Sequence, residues 1–363
     1  MKSVRYGIIG TGYFGTALAK ALAGLDDASI TWVYDPLRGP TIASVLNCKV
    51  AGSLEELVSQ QEVDCVIVAT PNGKHAEPVV AAARHGKHVF CEKPLDINVE
   101  RVKWMLQAVQ EAGVTMMAGH IMSFMNGVNF IKRRIAQGAI GEILSIHSER
   151  TGWEDPKPEV SWKKLQDISG GHLFHHIHEL DFIQSLIGPA QSVYAAGGNL
   201  AHTGEGFGTE DDTIFSTFTF NGGRNFAYLE TGSAFRMGQH FVRINGSRGA
   251  ILLDMKNTGC VLKSDQGIEY ATVGENAEED RDRTYLNTYQ DGGVVYGKHD
   301  MDPPLWLRSL IKKEMTYLHQ VLLGNAIEDE FAGLFNGTAA LASVKSAEAA
   351  LQSLRTGTVQ KIV

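Results

Sequence analysis

The chain has 363 residues, 44% hydrophobic and 20% charged, with a formal net charge of −8. That length supports two domains with sizeable cores, and a negative chain without a Lys/Arg stripe excludes a nucleic-acid surface, which needs concentrated cations. No apolar run reaches the roughly 18 residues of a membrane span, the start Met1-Lys2-Ser3-Val4-Arg5-Tyr6 enters a strand pattern rather than a cleavable leader, and Cys48, Cys65, Cys91 and Cys260 lack zinc spacing, so a cytoplasmic location is expected.

In chain order, residues 4–9 read as a strand, 14–23 as a helix and 30–34 as the next strand. Residues 64–69 form a continuous apolar run closed by Pro71, Asn72 and Gly73; 88–91 and 115–118 are further short strands, with helices over 76–85 and 98–112 between them. Continuous apolar strands alternating with helices predict a parallel sheet covered on both faces, ending near residue 122. The pattern then changes. A helix over 126–137 leads to a strand over 142–151, a loop with Trp and Pro over 152–169, and a His-rich helix over 172–187. Strands over 212–220, 224–232, 241–245 and 250–253, separated by turn signals such as Asn221-Gly222-Gly223, predict a mostly antiparallel sheet. The charged stretch 274–304, centred on Glu278-Glu279-Asp280-Arg281-Asp282-Arg283, reads as a long solvated loop. Helices over 305–323 and 337–354 close the chain.

Gly10-Thr11-Gly12-Tyr13-Phe14-Gly15 fits G-x-G-x-x-G and lies directly between a strand and a helix. Gly10 suits a tight turn, Gly12 a close backbone approach to a pyrophosphate, and Gly15 close helix–strand packing, with Tyr13 and Phe14 beside the ligand. The helix N-terminus offers free N–H groups and a positive dipole end. Asp35 ends the second strand; a carboxylate there accepts both ribose hydroxyls and repels a 2′-phosphate, which favours NAD over NADP, with Arg38 close by as the opposing signal. Thr70-Pro71-Asn72 follows a strand's carboxyl end and is placed against the same cofactor; His75 is either a cofactor contact or a polar group at the next helix start. Cys91-Glu92-Lys93-Pro94 ends another strand, so Lys93 points into the ligand crevice unless it is a solvated loop Lys.

The Gly-rich turn, the Thr70-Pro71-Asn72 loop with His75, and Glu92-Lys93-Pro94 together resemble the Gfo/Idh/MocA oxidoreductase family (glucose–fructose oxidoreductase, inositol dehydrogenase). Gly138-Ala139-Ile140-Gly141-Glu142-Ile143, Gly170-Gly171 and His178-Glu179-Leu180-Asp181 carry the resemblance, in order, through essentially the whole chain. It implies an α/β chain: an N-terminal Rossmann domain (1–122) binding NAD, and a C-terminal α/β domain (123–363) with a large, mostly antiparallel open sheet that holds the substrate and pairs subunits into a dimer or tetramer. It also implies that Lys93 is catalytic with a cis Lys93–Pro94 bond, and that His178 is the catalytic histidine.

The implied chemistry is reversible oxidation of a secondary ring hydroxyl of a sugar, a glycoside (C3 of a glucoside being one case) or a cyclitol. Neutral His178 suits removal of the hydroxyl proton, and Lys93 can donate to the developing oxyanion. The segment His172-Leu173-Phe174-His175-His176-Ile177-His178 departs from the family, many of whose members carry an Asp where Phe174 stands and a Gly where His176 stands. Either His175 replaces that Asp or the site is built differently, which disfavours a standard inositol substrate. His172, His175 and His176 have spacing that can share a helix face; with Glu149 or His120 they form a metal-site candidate, set against hydrogen-bonding histidines in a sugar pocket. Trp153 and Trp162 either stack on a pyranose or pack in the core; His120, His176 and Asp181 are assigned to the substrate side. Two other functions fit: a redox-neutral, NAD-using glycosidase, and an NAD-sensing regulator, which the presence of both Lys93 and His178 disfavours.

Overall fold

The computed structural model describes residues 2–257, 259–289 and 301–363. It separates into two compact units: residues 1–96, 100–121 and 289–341 in the first, and 97–99, 122–288 and 342–363 in the second.

The first unit is built on six parallel strands: β1 (Val4–Ile9), β2 (Ala28–Tyr34), β3 (Lys49–Val50), β4 (Cys65–Val68), β5 (His88–Glu92) and β6 (Met116–Gly119), in spatial order β3-β2-β1-β4-β5-β6. This is the doubly wound order whose crevice lies beyond the carboxyl ends of β1 and β4. Every residue of β4 is buried, as expected of a strand covered on both faces. The helix Leu305–Leu323, read from the sequence as part of the second domain, clusters with this unit and packs on the helix Tyr13–Ala23. The cause is polar as well as apolar: His319 Nδ1 meets the buried Tyr6 hydroxyl at 2.8 Å, and its Nε2 meets the Asp26 carbonyl at 2.9 Å.

The second unit holds a nine-stranded sheet of β7 (Ile143–Thr151), β8 (Ser192–Gly198), β9 (Thr213–Phe220), β10 (Asn225–Gly232), β11 (His240–Gly246), β12 (Gly249–Asp254), β13 (Gly259–Ser264), β14 (Gly267–Ala271) and β15 (Gln360–Lys361). Their order is β14-β13-β12-β11-β7-β10-β9-β8-β15, antiparallel except for the central β7–β10 pair. The last long helix, Thr338–Thr356, buries Ser343, Ser346 and Ser353, whose hydroxyls bond Asp181, Gln184 and the Ala195 N–H.

Two sequence expectations are corrected. The stretch 274–304 is not one loop: Ala277–Tyr289 is a helix. Asn276 Oδ1 accepts the N–H groups of Glu278 and Glu279, and Asp280 accepts those of Val273 and Gly274, so the acidic run caps a helix start. Residues 290–300 of that stretch lie outside the described residues. The His-rich helix is two helices, His172–His175 and Ile177–Ile187, because His176 (φ −95°, ψ 27°) breaks the run while its ring is held by the Thr231 hydroxyl.

Candidate active site

In the first unit the polar groups gather at strand ends. Gly10 turns at φ +86°, and a Cβ on Gly15 would stand 2.0 Å from the Gly10 carbonyl, so both positions require glycine. Nothing lies within 4 Å of where a Gly12 Cβ would be, which leaves the helix N-terminus open to a phosphate. Tyr13 and Phe14 start the helix with their rings edge to face at 6.0 Å. The Asp35 carboxylate accepts the N–H groups of Thr11, Leu37 and Arg38 at 2.8–2.9 Å. Burial opposes its ionisation, yet these bonds hold its pKa below the usual value, so the charge that would meet a ribose is fixed in place.

The His75 ring is fully buried, with Nδ1 2.8 Å from the Pro94 carbonyl and Nε2 2.7 Å from the Thr70 carbonyl. Both nitrogens are committed to backbone, and the side chain caps no helix. His75 therefore ties the Thr70-Pro71-Asn72 loop to the Lys93-Pro94 turn, whose peptide bond is cis. Asn72 and Glu92 are buried and Lys93 is half-buried. Burial pushes the Glu92 pKa up to about 7, with Lys93 pulling it back. Glu314, from the returning helix, is fully buried, has no hydrogen-bond partner for either carboxyl oxygen among the described residues, and is raised well above the usual carboxyl pKa by burial and by Glu92. His120 is buried just after β6.

In the second unit an ion network underlies the histidine helices. Arg150 Nη1 meets both Glu179 carboxyl oxygens at 3.1 and 3.3 Å, and His240 Nε2 meets Oε1 at 2.7 Å. Burial alone would raise the Glu179 pKa; Arg150 and His240 bring it down to about 2. The His172 and His176 rings lie tilted against each other at 4.9 Å, and burial, with Lys164 near His172 and Arg150 near both, drives both well below the usual histidine pKa, leaving neutral rings. Behind them Lys164 pairs with Glu154 and Glu210, and Glu210 lies 3.3 Å from His172 Nε2. A small cavity lined by Arg150, His172, His176, Glu179 and Thr231 lies in this network.

His175 closes the first short helix with Trp162 edge-on at 6.0 Å, and the buried His178 lies in the first turn of the next helix. Phe174, where the resemblance leads one to seek an Asp, is core: it is 1% exposed and packs over Gly170. Trp153 is not free for a sugar, since the Arg236 guanidinium sits 3.4 Å from its ring centroid and His202 packs against it. Asp181 accepts from Ser343 at 3.3 Å and so faces the last helix. His172, His175 and His176 do not group as metal ligands; among the described residues the one cluster that does is His147, Glu149 and Glu230. Sequence reasoning missed Arg150, Glu179, His240, Lys164, Glu210 and Glu314. Strand register, loop packing and a returning helix bring them into place; of the six only Glu179 lies in a local sequence motif, where its role as partner of Arg150 is not visible.

Comparison with known proteins matches residues 4–120 to the model described as "Oxidoreductase family, NAD-binding Rossmann fold" and residues 132–362 to "Oxidoreductase family, C-terminal alpha/beta domain". The chain is 49% identical to a 2,7-anhydro-N-acetylneuraminate hydratase of Escherichia coli (strain K12), over 96% of this chain and 95% of that one. It is 48% identical to a protein of the same name from Mediterraneibacter gnavus, over 97% and 95%. Among solved structures, an NAD binding oxidoreductase from Klebsiella pneumoniae superposes with a TM-score of 0.80 at 22% identity, covering 99% of each chain.

Proposed function

The chain belongs to the Gfo/Idh/MocA oxidoreductase family, and from that membership we propose that it uses NAD without net redox change to hydrate an anhydro-bridged acidic sugar, 2,7-anhydro-N-acetylneuraminate or a close analogue. The observation that carries this reading is the near full-length identity of 49% and 48% to two hydratases of that substrate. A helix segment without the family's common Asp, with Phe174 in the core and His175 and His178 instead, supports a substrate unlike inositol.

The open Gly12 turn and the fixed Asp35 carboxylate suit NAD, which when bound takes a hydride from a ring carbon and later returns it. The chain's residues handle the protons. His178 or His175 accepts the hydroxyl proton as the alcohol becomes a ketone, and Lys93 donates to the ketone oxygen. The ketone acidifies the neighbouring C–H. When a base removes that proton, the bridging C–O bond one carbon further on breaks, and the departing oxygen takes a proton. Water would then add, with hydroxyl to the former bridge carbon and hydrogen to its neighbour, and a proton donated to the ketone oxygen would accompany its return to the alcohol. The sum is substrate plus water.

The test is turnover of the anhydro sugar in deuterated water with catalytic NAD. Ring-opened product carrying carbon-bound deuterium beside the transient ketone, with no lasting absorbance at 340 nm, is the expected result. Stoichiometric NADH and a keto product would instead establish a net sugar dehydrogenase.

A further inference from the structure

The central strands of the second unit carry another ionisable cluster on the sheet face opposite the Arg150–Glu179 pair. Alternation along β7 turns Ser148 and Arg150 toward the helix Ile177–Ile187 and turns His147, Glu149 and Thr151 the other way. The parallel register sets Glu230 beside Glu149 and Tyr228 beside His147. One ligand-capable atom from each of His147, Glu149 and Glu230 lies within 4.8 Å of the others, and all three residues are half-buried.

Two carboxylates facing each other on neighbouring strands repel. Arg243, opposite His147 on β11, forms no ion pair with either among the described residues and lies over the Phe241 ring instead. The His147 ring is fixed between Tyr228 and Phe241, with centroids 5.2 and 5.0 Å away. Its Nε2 is sealed from solvent and has no hydrogen-bond partner among the described residues, an arrangement that is costly unless something else fills the lone pair. Each carboxylate is oriented by a hydroxyl: Thr151 donates to Glu149 Oε1 at 2.6 Å, and Tyr228 hydrogen-bonds Glu230. Outer donors of this kind orient metal ligands.

We propose that His147, Glu149 and Glu230 form a binding site for one divalent transition ion of the zinc or manganese type. One imidazole and two carboxylates favour such an ion over calcium or magnesium, which prefer all-oxygen sets. Ligands of a tetrahedral ion at about 2.1 Å stand about 3.4 Å apart, so side-chain rotations of about 1 Å close the site, and water completes the coordination. The ion cancels the facing charges and braces β7 against β10.

The experiment is dialysis of the chelator-stripped full-length protein against Zn²⁺ and, separately, Mn²⁺, with bound metal counted by plasma mass spectrometry and the thermal midpoint recorded. One ion per chain at micromolar free metal is expected, with a raised midpoint. His147→Ala and the isosteric Glu230→Gln should each weaken binding at least tenfold and remove the rise, while unchanged NADH binding reports that the chain remains folded. Absence of binding in the wild type, binding unaffected by His147→Ala, or loss instead with His172→Ala would overturn the site.

Discussion

In the first unit the sequence motifs and the polar groups of the site coincide: Gly10 to Gly15, Asp35, Thr70 to His75 and Glu92 to Lys93 each occupy one short stretch at a strand's carboxyl end. In the second unit Arg150 comes from β7, Glu179 from a helix, His240 from β11, Lys164 from the 3-10 turn Trp162–Lys164 and Glu210 from a loop. A dinucleotide can be held by a turn and a helix end, which are local objects. A particular substrate needs side chains placed from several directions, and these are set by register. Single substitutions in the first unit should therefore fail in chemistry or cofactor handling, and those in the second should fail together with stability.

The largest effect expected is at Lys93 and His178. Lys93→Ala and His178→Ala should each lower turnover by about a thousandfold or more, in the range of lost acid–base and oxyanion groups. Titration with NADH should show unchanged binding in both. Near-wild-type turnover in either variant would remove that residue from the chemistry.

Glu179→Ala sharpens the contrast, because it should cost stability as well as activity. It strands the Arg150 and His240 groups in a buried setting, a loss of about 3 kcal/mol, visible as a lower urea midpoint. The pH dependence has a defined sign. Glu179 is held at about 2 in the folded chain, against about 4.3 for an ordinary Glu. Its stabilisation is present above about pH 4.3 and is lost as pH falls through 2. Acid titration of the wild type and Glu179→Gln should converge at low pH; parallel curves would mean that the ion network does not hold the unit together.

Lys163 tests the acidic-sugar reading. It adjoins Trp162, which packs on His175, and has no carboxylate partner among the described residues; burial and the neighbouring Lys164 depress its pKa. A cation left without an internal partner beside the histidine helices suits a substrate carboxylate. Lys163→Ala should raise KM about tenfold, the size of one charge-assisted contact, with kcat little changed. Equal loss in kcat and an unchanged KM would place Lys163 elsewhere.

How much was legible follows the same division. The parallel first sheet, the Gly-rich turn and Asp35 follow from short patterns whose physics is local, and the cis Lys93–Pro94 bond was implied by the family resemblance. The helix Ala277–Tyr289 was missed because an acidic run reads as solvated until Asn276 is seen as its cap. The break at His176 was missed because the 3.6-residue pattern continues through it, and only the bond to Thr231, 55 residues away, marks the change. Trp153 was offered to a sugar, yet Arg236 covers its ring, a pairing that no spacing predicts.

Glu314 marks the limit of that division, since it brings a non-local group into the unit otherwise built from local motifs. Glu92 is raised to about 7 and Glu314 well above the ordinary value, in each case by burial first. Both bind a proton more tightly folded than unfolded, so their contribution to stability is full below about pH 4.3 and declines as pH rises, for Glu92 through about 7. Glu314→Gln keeps the shape, removes one of the two titrations and lifts the repulsion on Glu92. The fall in stability from acid to neutral pH should shrink. The alkaline limb of the pH–rate profile should shift in the same variant, because Glu92 adjoins Lys93 and would then ionise at lower pH, strengthening the charge that favours protonated Lys93. A variant with a flatter stability curve and an unmoved rate profile would make Glu314 a buried acid of the fold alone; movement of both would tie the returning helix to the protons of the reaction.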